Sequence, residues 1–338
     1  MRPEPTSIAV LGAGSWGTTF AKVLADANPG IEIRLWGRRT AVVEEINSTH
    51  RNETYLPNID FPHNLVASTD VTKVLNGSAL VVLAVPAQSL RAQLPAWRDA
   101  LASDVVVVSL MKGLELGTDA QMSQVIAAEL GVPTERIAVV SGPNLAMEIA
   151  RQEPTASVIA CTDVDVAAWV ASLCTASYFR PYTNSDVVGV EIGGIVKNVI
   201  ALAVGICEGK EMGDNTKASV ITRGLAETTR LALALGGEAE TMAGLAGLGD
   251  LVATCSSPLS RNHTAGRLLG QGLSLDQVNA TMTQTAEGIK SGRAVYDLAG
   301  KLGVDMPITS AVVAVLAGKL TVDELGPRLL ARDLKSEG

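Results

Sequence analysis

Three groups of residues in this chain of 338 have types and spacings suited to chemistry. The first is Gly12-Ala13-Gly14-Ser15-Trp16-Gly17, which follows the apolar run Ile8–Leu11 and leads into a helical stretch, Thr18–Ala27. In that strand–turn–helix setting Gly12 permits the tight turn, Gly14 lets a pyrophosphate approach the backbone, and Gly17 lets helix and strand pack closely. The unpaired N–H groups and positive dipole of the helix N-terminus complete a dinucleotide cradle. At the end of the next strand, where an NAD-selective site carries an acid for the ribose 2′-hydroxyl, stand Gly37-Arg38-Arg39. Two guanidiniums suit a 2′-phosphate through bidentate bonds, so NADP(H) is the preferred cofactor expected here, with NAD(H) also accepted.

The second group centres on Lys197, in the almost wholly apolar stretch Val190–Gly205. A nicotinamide enzyme that reduces a carbonyl must supply a proton or positive charge to the oxygen as hydride arrives at carbon. With only His50, His63 and His263 in the chain, lysine is the natural candidate. Gly193 and Gly194 fall one turn before Lys197 on its own helix face and leave a notch beside the ammonium. Taken alone, Lys197 has a second reading as a lysine snorkelling at a helix surface. The third group is Gly249-Asp250-Leu251 followed by Ser260-Arg261-Asn262. Its serine N-cap, guanidinium and amide at the start of one helix form a compact phosphate cradle.

The elements that must position these groups fall into two halves. From Ser7 to about Pro181 short β-branched runs alternate with helical stretches: Ile8–Leu11, Ile31–Trp36, Leu80–Val85, Val105–Leu110, Ile137–Ser141 and Ala156–Cys161. Continuous Val/Ile/Leu runs predict strands covered on both faces, hence an α/β fold with a doubly wound, Rossmann-type sheet. After about Ser185 the periodicity becomes helical, in Val188–Cys207, Thr216–Leu235, Asn262–Gln271, Glu287–Leu302 and Ser310–Gly318. Residues 1–187 therefore read as a dinucleotide-binding domain and 188–338 as an all-helical substrate and catalytic domain. A cleft between them is the expected ligand site.

Composition removes other classes. Aromatic residues make up only 3% of the chain, too few for single-stranded nucleic-acid stacking, and the net charge of −8 opposes binding to nucleic acid or anionic membranes. Cys161, Cys174, Cys207 and Cys255 lack zinc-site spacing and read as free thiols in a reducing compartment. No metal is expected. The longest apolar runs, Ala79–Ala87 and Val199–Ile206, are shorter than the ~20 residues of a membrane span, and Met1–Ser7 carries no signal-peptide pattern, so a cytoplasmic location is expected.

Over essentially its whole length the sequence resembles the bacterial-type NAD(P)-dependent glycerol-3-phosphate dehydrogenases. The resemblance rests on Gly12–Gly17, Val85-Pro86, Met111-Lys112-Gly113-Leu114-Glu115, Ser141-Gly142-Pro143, Glu191 to Asn198, Gly249–Asn262 and Ala286-Glu287-Gly288. It implies reversible reduction of dihydroxyacetone phosphate to sn-glycerol 3-phosphate, the entry to glycerophospholipid synthesis, by a homodimer. It also implies that Lys197 is the catalytic acid/base, that Lys112 contacts substrate and cofactor, and that Asp250, assisted by Thr254, orients the lysine and substrate. Gly142, Asn144, Asn198, Ser260, Arg261 and Asn262 match substrate positions. Ser15, Trp16, Arg38, Arg39, Tyr55, Lys112, Ala146, Arg261, Thr285 and Glu287 match cofactor positions, beside Gly12, Gly14 and Gly17. Where relatives often have Ser or Thr the chain has Asn144, and Thr285 stands where an aliphatic residue is common. Two other readings remain: a 3-hydroxyacid or 6-phosphogluconate-type dehydrogenase, and a noncatalytic NADPH-binding regulator.

Overall fold

Every residue of the first strand, β1 (Ser7–Leu11), is buried, and its side chains alternate between two cores. Ile8 and Val10 pack with Phe20 and Leu24 of α1 (Ser15–Ala27), whereas Ala9 and Leu11 join a second cluster with Leu90, Leu94 and Trp97. The continuous apolar strand thus reflects a sheet covered on both faces. The computed structural model describes residues 2–282 and 286–331, so Thr285 lies outside the described residues.

The sheet continues through β2 (Glu32–Trp36), α2 (Thr40–Thr49), β3 (Leu65–Ser68), α3 (Val71–Leu75) and β4 (Leu80–Leu83). Then come α4 (Leu90–Arg98), β5 (Val106–Ser109), α5 (Met122–Leu130), β6 (Ile137–Ser141) and α6 (Ala146–Ala150). It closes with β7 (Thr155–Ala160), α7 (Val164–Cys174) and β8 (Phe179–Asn184). The strand order is β3-β2-β1-β4-β5-β6-β7-β8, and every neighbouring pair is parallel except β6 with β7. The order reverses at β1, between β2 and β4, and in such sheets ligands bind outside the carboxyl ends at that point. The glycine turn sits there: Gly12 N–H donates to Trp36 O at 3.0 Å, and Ala84 N–H donates to Leu11 O at 2.9 Å. The edge strands β3 and β8 were not among the expected strands. β8 buries only Phe179 and contains Pro181, so it lacks the apolar run that marks a central strand.

The helical half comprises α8 (Val187–Gly209), α9 (Asp214–Ala234), α10 (Ala239–Ala243), a π-helical segment Leu245–Gly249, and α11 (Asp250–Ser256). It continues with α12 (Arg261–Gly270), α13 (Leu275–Thr281), α14 (Glu287–Leu302), α15 (Pro307–Leu316) and α16 (Val322–Leu330). The chain divides into two compact units: one runs to Glu115 and over Ala120–Glu191, the other takes Leu116–Asp119 and everything from Ile192. Within that second unit an ion pair joins Lys301 to Asp119 of the short loop segment. By length and composition α8 is a helix that could cross a membrane, with mean hydropathy 1.9, but 89% of its apolar window is buried inside the protein, as in a core helix. Counting uninterrupted apolar runs misses this helix because Glu191 and Lys197 break them.

Two buried glutamates tie helices together by sitting at another helix's N-terminus. Glu191 accepts hydrogen bonds from Ser123 N–H and Oγ at the start of α5. Glu227 of α9 accepts from Ile308 N–H at 2.6 Å and from Thr309 N–H and Oγ1 at 3.2 Å each, at the start of α15. These donors favour the carboxylate, yet burial outweighs them and pushes both groups up from 4.5 to about 7. Between about pH 4.5 and 7 the folded protein therefore holds protons that the unfolded chain has released, and stability falls as pH rises through that window. Thermal melts of wild type and Glu227→Gln across this range should show the wild type losing Tm relative to the variant as pH rises; a constant offset would rule out titration of Glu227.

Candidate active site

In the first unit the glycine turn is shaped by backbone contact. Gly12 adopts φ +128°, and a Cβ there would meet Ala84 O at 2.4 Å, so only glycine lets the turn lie against the end of β4. By contrast, nothing lies within 4 Å of a Cβ placed on Gly14, and α1 begins there with no side-chain cap on its first N–H groups. Trp16 stacks edge-to-face on Phe20, with centroids 5.6 Å apart, and its Nε1 is buried without a hydrogen-bond partner.

The segment after α2 straps across this turn. Asn52 Nδ2 donates to Ala13 O and Thr18 Oγ1, and Ser15 Oγ donates to the Tyr55 carbonyl. The Arg39 guanidinium lies 4.9 Å from the Tyr55 ring centroid, a cation–π arrangement, with Arg38 exposed next to it in sequence. Lys112, just beyond β5, donates from Nζ to Gly142 O at 3.1 Å. Both amide atoms of Asn144 are buried and unpartnered, while the Ala146 carbonyl accepts from Thr19 Oγ1. A buried polar group without a partner costs about 1–3 kcal/mol, which a ligand carrying donors and acceptors would offset. An open glycine turn, an uncapped helix start and orphaned polar atoms together fit a nicotinamide dinucleotide.

In the second unit Lys197, Asp250 and Thr254 form a buried cluster. Lys197 Nζ donates to Asp250 Oδ1 at 2.5 Å and to Thr254 Oγ1 at 2.7 Å, and Thr254 Oγ1 donates to Asp250 Oδ1 at 3.2 Å. Lys197 is only 8% exposed and Asp250 1%, which excludes the snorkelling alternative. Gly193 has a different use from the expected notch: a Cβ there would meet Ala246 O at 2.5 Å, so the glycine lets the π segment lie against α8. Asp250 is the next residue after that segment, so the close approach delivers its carboxylate to the lysine one turn along.

The third group departs from expectation in one respect. Ser260 does cap α12, accepting from His263 N–H at 3.2 Å, and Arg261 is exposed in the first turn. Asn262 instead points inward. Its Nδ2 donates to Asn198 Oδ1 and its Oδ1 accepts from Gly288 N–H, both at 2.8 Å, so its amide links α8, α12 and α14. Glu287 begins α14, directly before Gly288. Among the described residues no group of three or more His, Cys, Asp or Glu could hold a metal, and burial pushes the Cys255 thiol, near Lys197 and Asp250, up to about 12, which keeps it protonated.

Residues 7–167 match the profile of the NAD-dependent glycerol-3-phosphate dehydrogenase N-terminus, and residues 186–326 match that of the same family's C-terminus. The chain belongs to that family. It is 58% identical over 335 residues to a glycerol-3-phosphate dehydrogenase [NAD(P)+] from Streptomyces griseus, covering 99% of both chains. A protein of the same description from Thermobifida fusca is 57% identical over 332 residues, 98% of each. Among solved structures, the glycerol-3-phosphate dehydrogenase of Coxiella burnetii superposes with a TM-score of 0.92 at 37% identity, over 98% of this chain and all of that one. The family's nicotinamide cofactor agrees with the Rossmann-type turn described above.

The Asn198–Asn262–Gly288 relay was not assembled from sequence, although all three residues lie in the motifs singled out there. Its partners are 64 and 26 positions apart, and no local period connects them. His263, which contacts Glu208 at 3.0 Å, was likewise not singled out, because its use depends on α8 passing alongside α12.

The buried pair makes a thermodynamic prediction. Removing one partner of a buried ion pair strands the other charge and costs about 3–5 kcal/mol, whereas replacing both with apolar groups is often neutral. Asp250→Ala should therefore destabilise the protein strongly in urea unfolding, and Lys197→Met combined with Asp250→Ala should recover much of the loss. Equal destabilisation of the single and double variants would contradict a charged, coupled pair.

Proposed function

We propose that the chain catalyses the reversible reduction of dihydroxyacetone phosphate to sn-glycerol 3-phosphate with NAD(P)H, supplying glycerophospholipid synthesis. The observation that carries this reading is the buried Lys197–Asp250–Thr254 cluster in a member of the family. Ammonium nitrogen offers three N–H donors, and two are engaged by Asp250 and Thr254. The third is suited to the C2 oxygen, which gains negative charge as the carbonyl is reduced, and the same group supplies its proton. The bound nicotinamide supplies the hydride.

Asp250 and Thr254 orient the lysine, and Asn198 holds α8 to α12 beside it. Ser260, Arg261 and the backbone N–H groups at the start of α12, that of Asn262 included, receive the substrate phosphate, while the Asn262 amide braces the helix against Asn198 and Gly288. Lys112, Gly142 and Asn144 contact the substrate, and Lys112 also meets the cofactor. Gly12, Gly14, Ser15, Trp16, Gly17, Tyr55, Ala146, Arg261 and Glu287 hold the dinucleotide, while Arg38 and Arg39 favour its 2′-phosphate form. On this reading residues 1–187 bind the dinucleotide and 188–338 carry the acid. The enzyme works as a cytoplasmic homodimer on a small phosphorylated triose, apart from nucleic acids and membranes.

Initial rates of NADPH oxidation should be high with dihydroxyacetone phosphate and very low with unphosphorylated dihydroxyacetone. Lys197→Ala should lower kcat by at least ~10²-fold while NADPH still binds. NADPH binding without turnover in the wild type would favour the regulator reading, and retained turnover in the variant would remove Lys197 from the chemistry.

Cofactor choice is tested separately. Arg38→Ala combined with Arg39→Ala should lower kcat/KM for NADPH by ~10-fold or more, in the range of one to two charge-assisted hydrogen bonds, with a smaller effect on NADH. An unchanged ratio between the two cofactors would show that these arginines do not read the 2′-phosphate.

A further inference from the structure

Lys112 sits on a glycine-containing stretch of chain that is tied to the fold at several points. Gly113 follows it directly and Gly117 lies four residues beyond, so the backbone beside the lysine has more freedom to lose than at any other residue type. The start of the stretch is held by the sheet, through Leu110 N–H donating to Leu83 O at 2.9 Å. Its far side is held by Glu115 N–H donating to Ala120 O at 2.9 Å and by side chains on and before α4. Arg91 grips the Glu115 carboxylate with two parallel bonds, Nε to Oε1 at 2.7 Å and Nη2 to Oε2 at 2.9 Å. The remaining Nη1 reaches Glu129 of α5, so one guanidinium joins the loop to two helices. In the single 3₁₀ turn Ala87–Ser89 just before α4, Gln88 Nε2 donates to Leu114 O at 2.7 Å.

We propose that Arg91 is a positioning residue for Lys112, with Glu115 as the handle by which it acts. The inference rests on the reading of Lys112 as a group that meets substrate and cofactor. An ion pair whose arginine is two-fifths exposed contributes little to global stability in general. A planar fork on a carboxylate fixes orientation as well as distance, however, and this fork fixes the backbone three residues from Lys112. Lys112 Nζ then rests 3.1 Å from Gly142 O, on a neighbouring loop of the same unit. Releasing the Glu115 carboxylate removes the planar fork while the backbone bonds of Leu114 and Glu115 remain, and a displacement of a reacting contact by ~1 Å on the loosened side can lower rates by ~10²-fold.

The test is a double-mutant cycle read in kcat/KM and in Tm. Arg91→Ala should lower kcat/KM by ~10-fold or more with only a small shift in Tm, Glu115→Gln should do the same, and Arg91→Lys, which keeps the charge without the fork, should fall between. In a Lys112→Ala background the further loss from Arg91→Ala should disappear. The proposal is overturned if Arg91→Ala turns over like wild type, or if it causes the same loss with and without Lys112. Should Lys112→Ala alone leave turnover intact, the reading of Lys112 itself fails, a result distinct from a silent Arg91, and the proposal falls with it. Loss of activity in proportion to loss of folded protein, with Arg91→Lys no better than Arg91→Ala, assigns Arg91 to stability alone and also overturns it.

Discussion

The organisation of the helical unit follows from keeping an ammonium group out of water. Taking Lys197 from solvent costs several kcal/mol, and the cost is offset only where a counter-charge and further hydrogen-bond partners meet it in good geometry. Asp250 and Thr254 satisfy that condition from one face of α11. They can do so because two backbones lie in contact. A side chain on Gly193 would collide with Ala246 O, and one on Gly247 would come within 2.2 Å of Met242 O. Gly193 and Gly247 therefore permit these close approaches, and Asp250 follows directly on the π-helical segment. Widened helical turns of this kind recur at functional sites because they redirect a side chain without ending the helix.

Charge placement obeys a related economy. A chain of net charge −8 repels anionic ligands in general, so an anionic ligand has to be attracted by local arrangements. Each unit has a helix N-terminus with arginine close by, which on the proposed reading serves that purpose. In the first, α1 starts at the glycine turn and Arg38 and Arg39 follow at the end of β2. In the second, α12 starts at Ser260 with Arg261 in its first turn. Helix dipoles and backbone N–H groups act over a few ångströms and leave the overall negative field unaltered.

How much of this was legible in the sequence depended on whether the signal was local. The central strands were readable because both faces are buried, which forces uninterrupted Val, Ile and Leu. The edge strands β3 and β8 were not, since one side meets solvent and the apolar run dissolves. Helices α13 and α16 carried readable capping boxes, Ser274 with Gln277 and Thr321 with Glu324, that periodicity alone passed over. The π segment reads as a loop because Gly-Leu-Ala-Gly-Leu-Gly has neither helical propensity nor a cap. Lys197 stood out by its apolar setting, but its pairing with Asp250 spans 53 positions and came only through family resemblance. The inward turn of Asn262 had no local sign at all, because an asparagine in a first helical turn looks the same whether it faces a ligand or another amide.

The choice of lysine also follows from geometry. A neutral imidazole has a single N–H, and an imidazolium has two on opposite sides of a rigid ring. Neither can donate to two groups on one helix turn and still present a third hydrogen to a ligand in the same small volume. An ammonium at the end of a flexible stem has three donors in tetrahedral array. Asp250 and Thr254 occupy two of them from positions one turn apart on α11 and so fix the direction of the third. The rotational freedom of the Lys197 side chain, which would weaken it in the proposed role of acid, is restricted by these two contacts. The helix interior that makes the charge costly thus also determines where its remaining proton points.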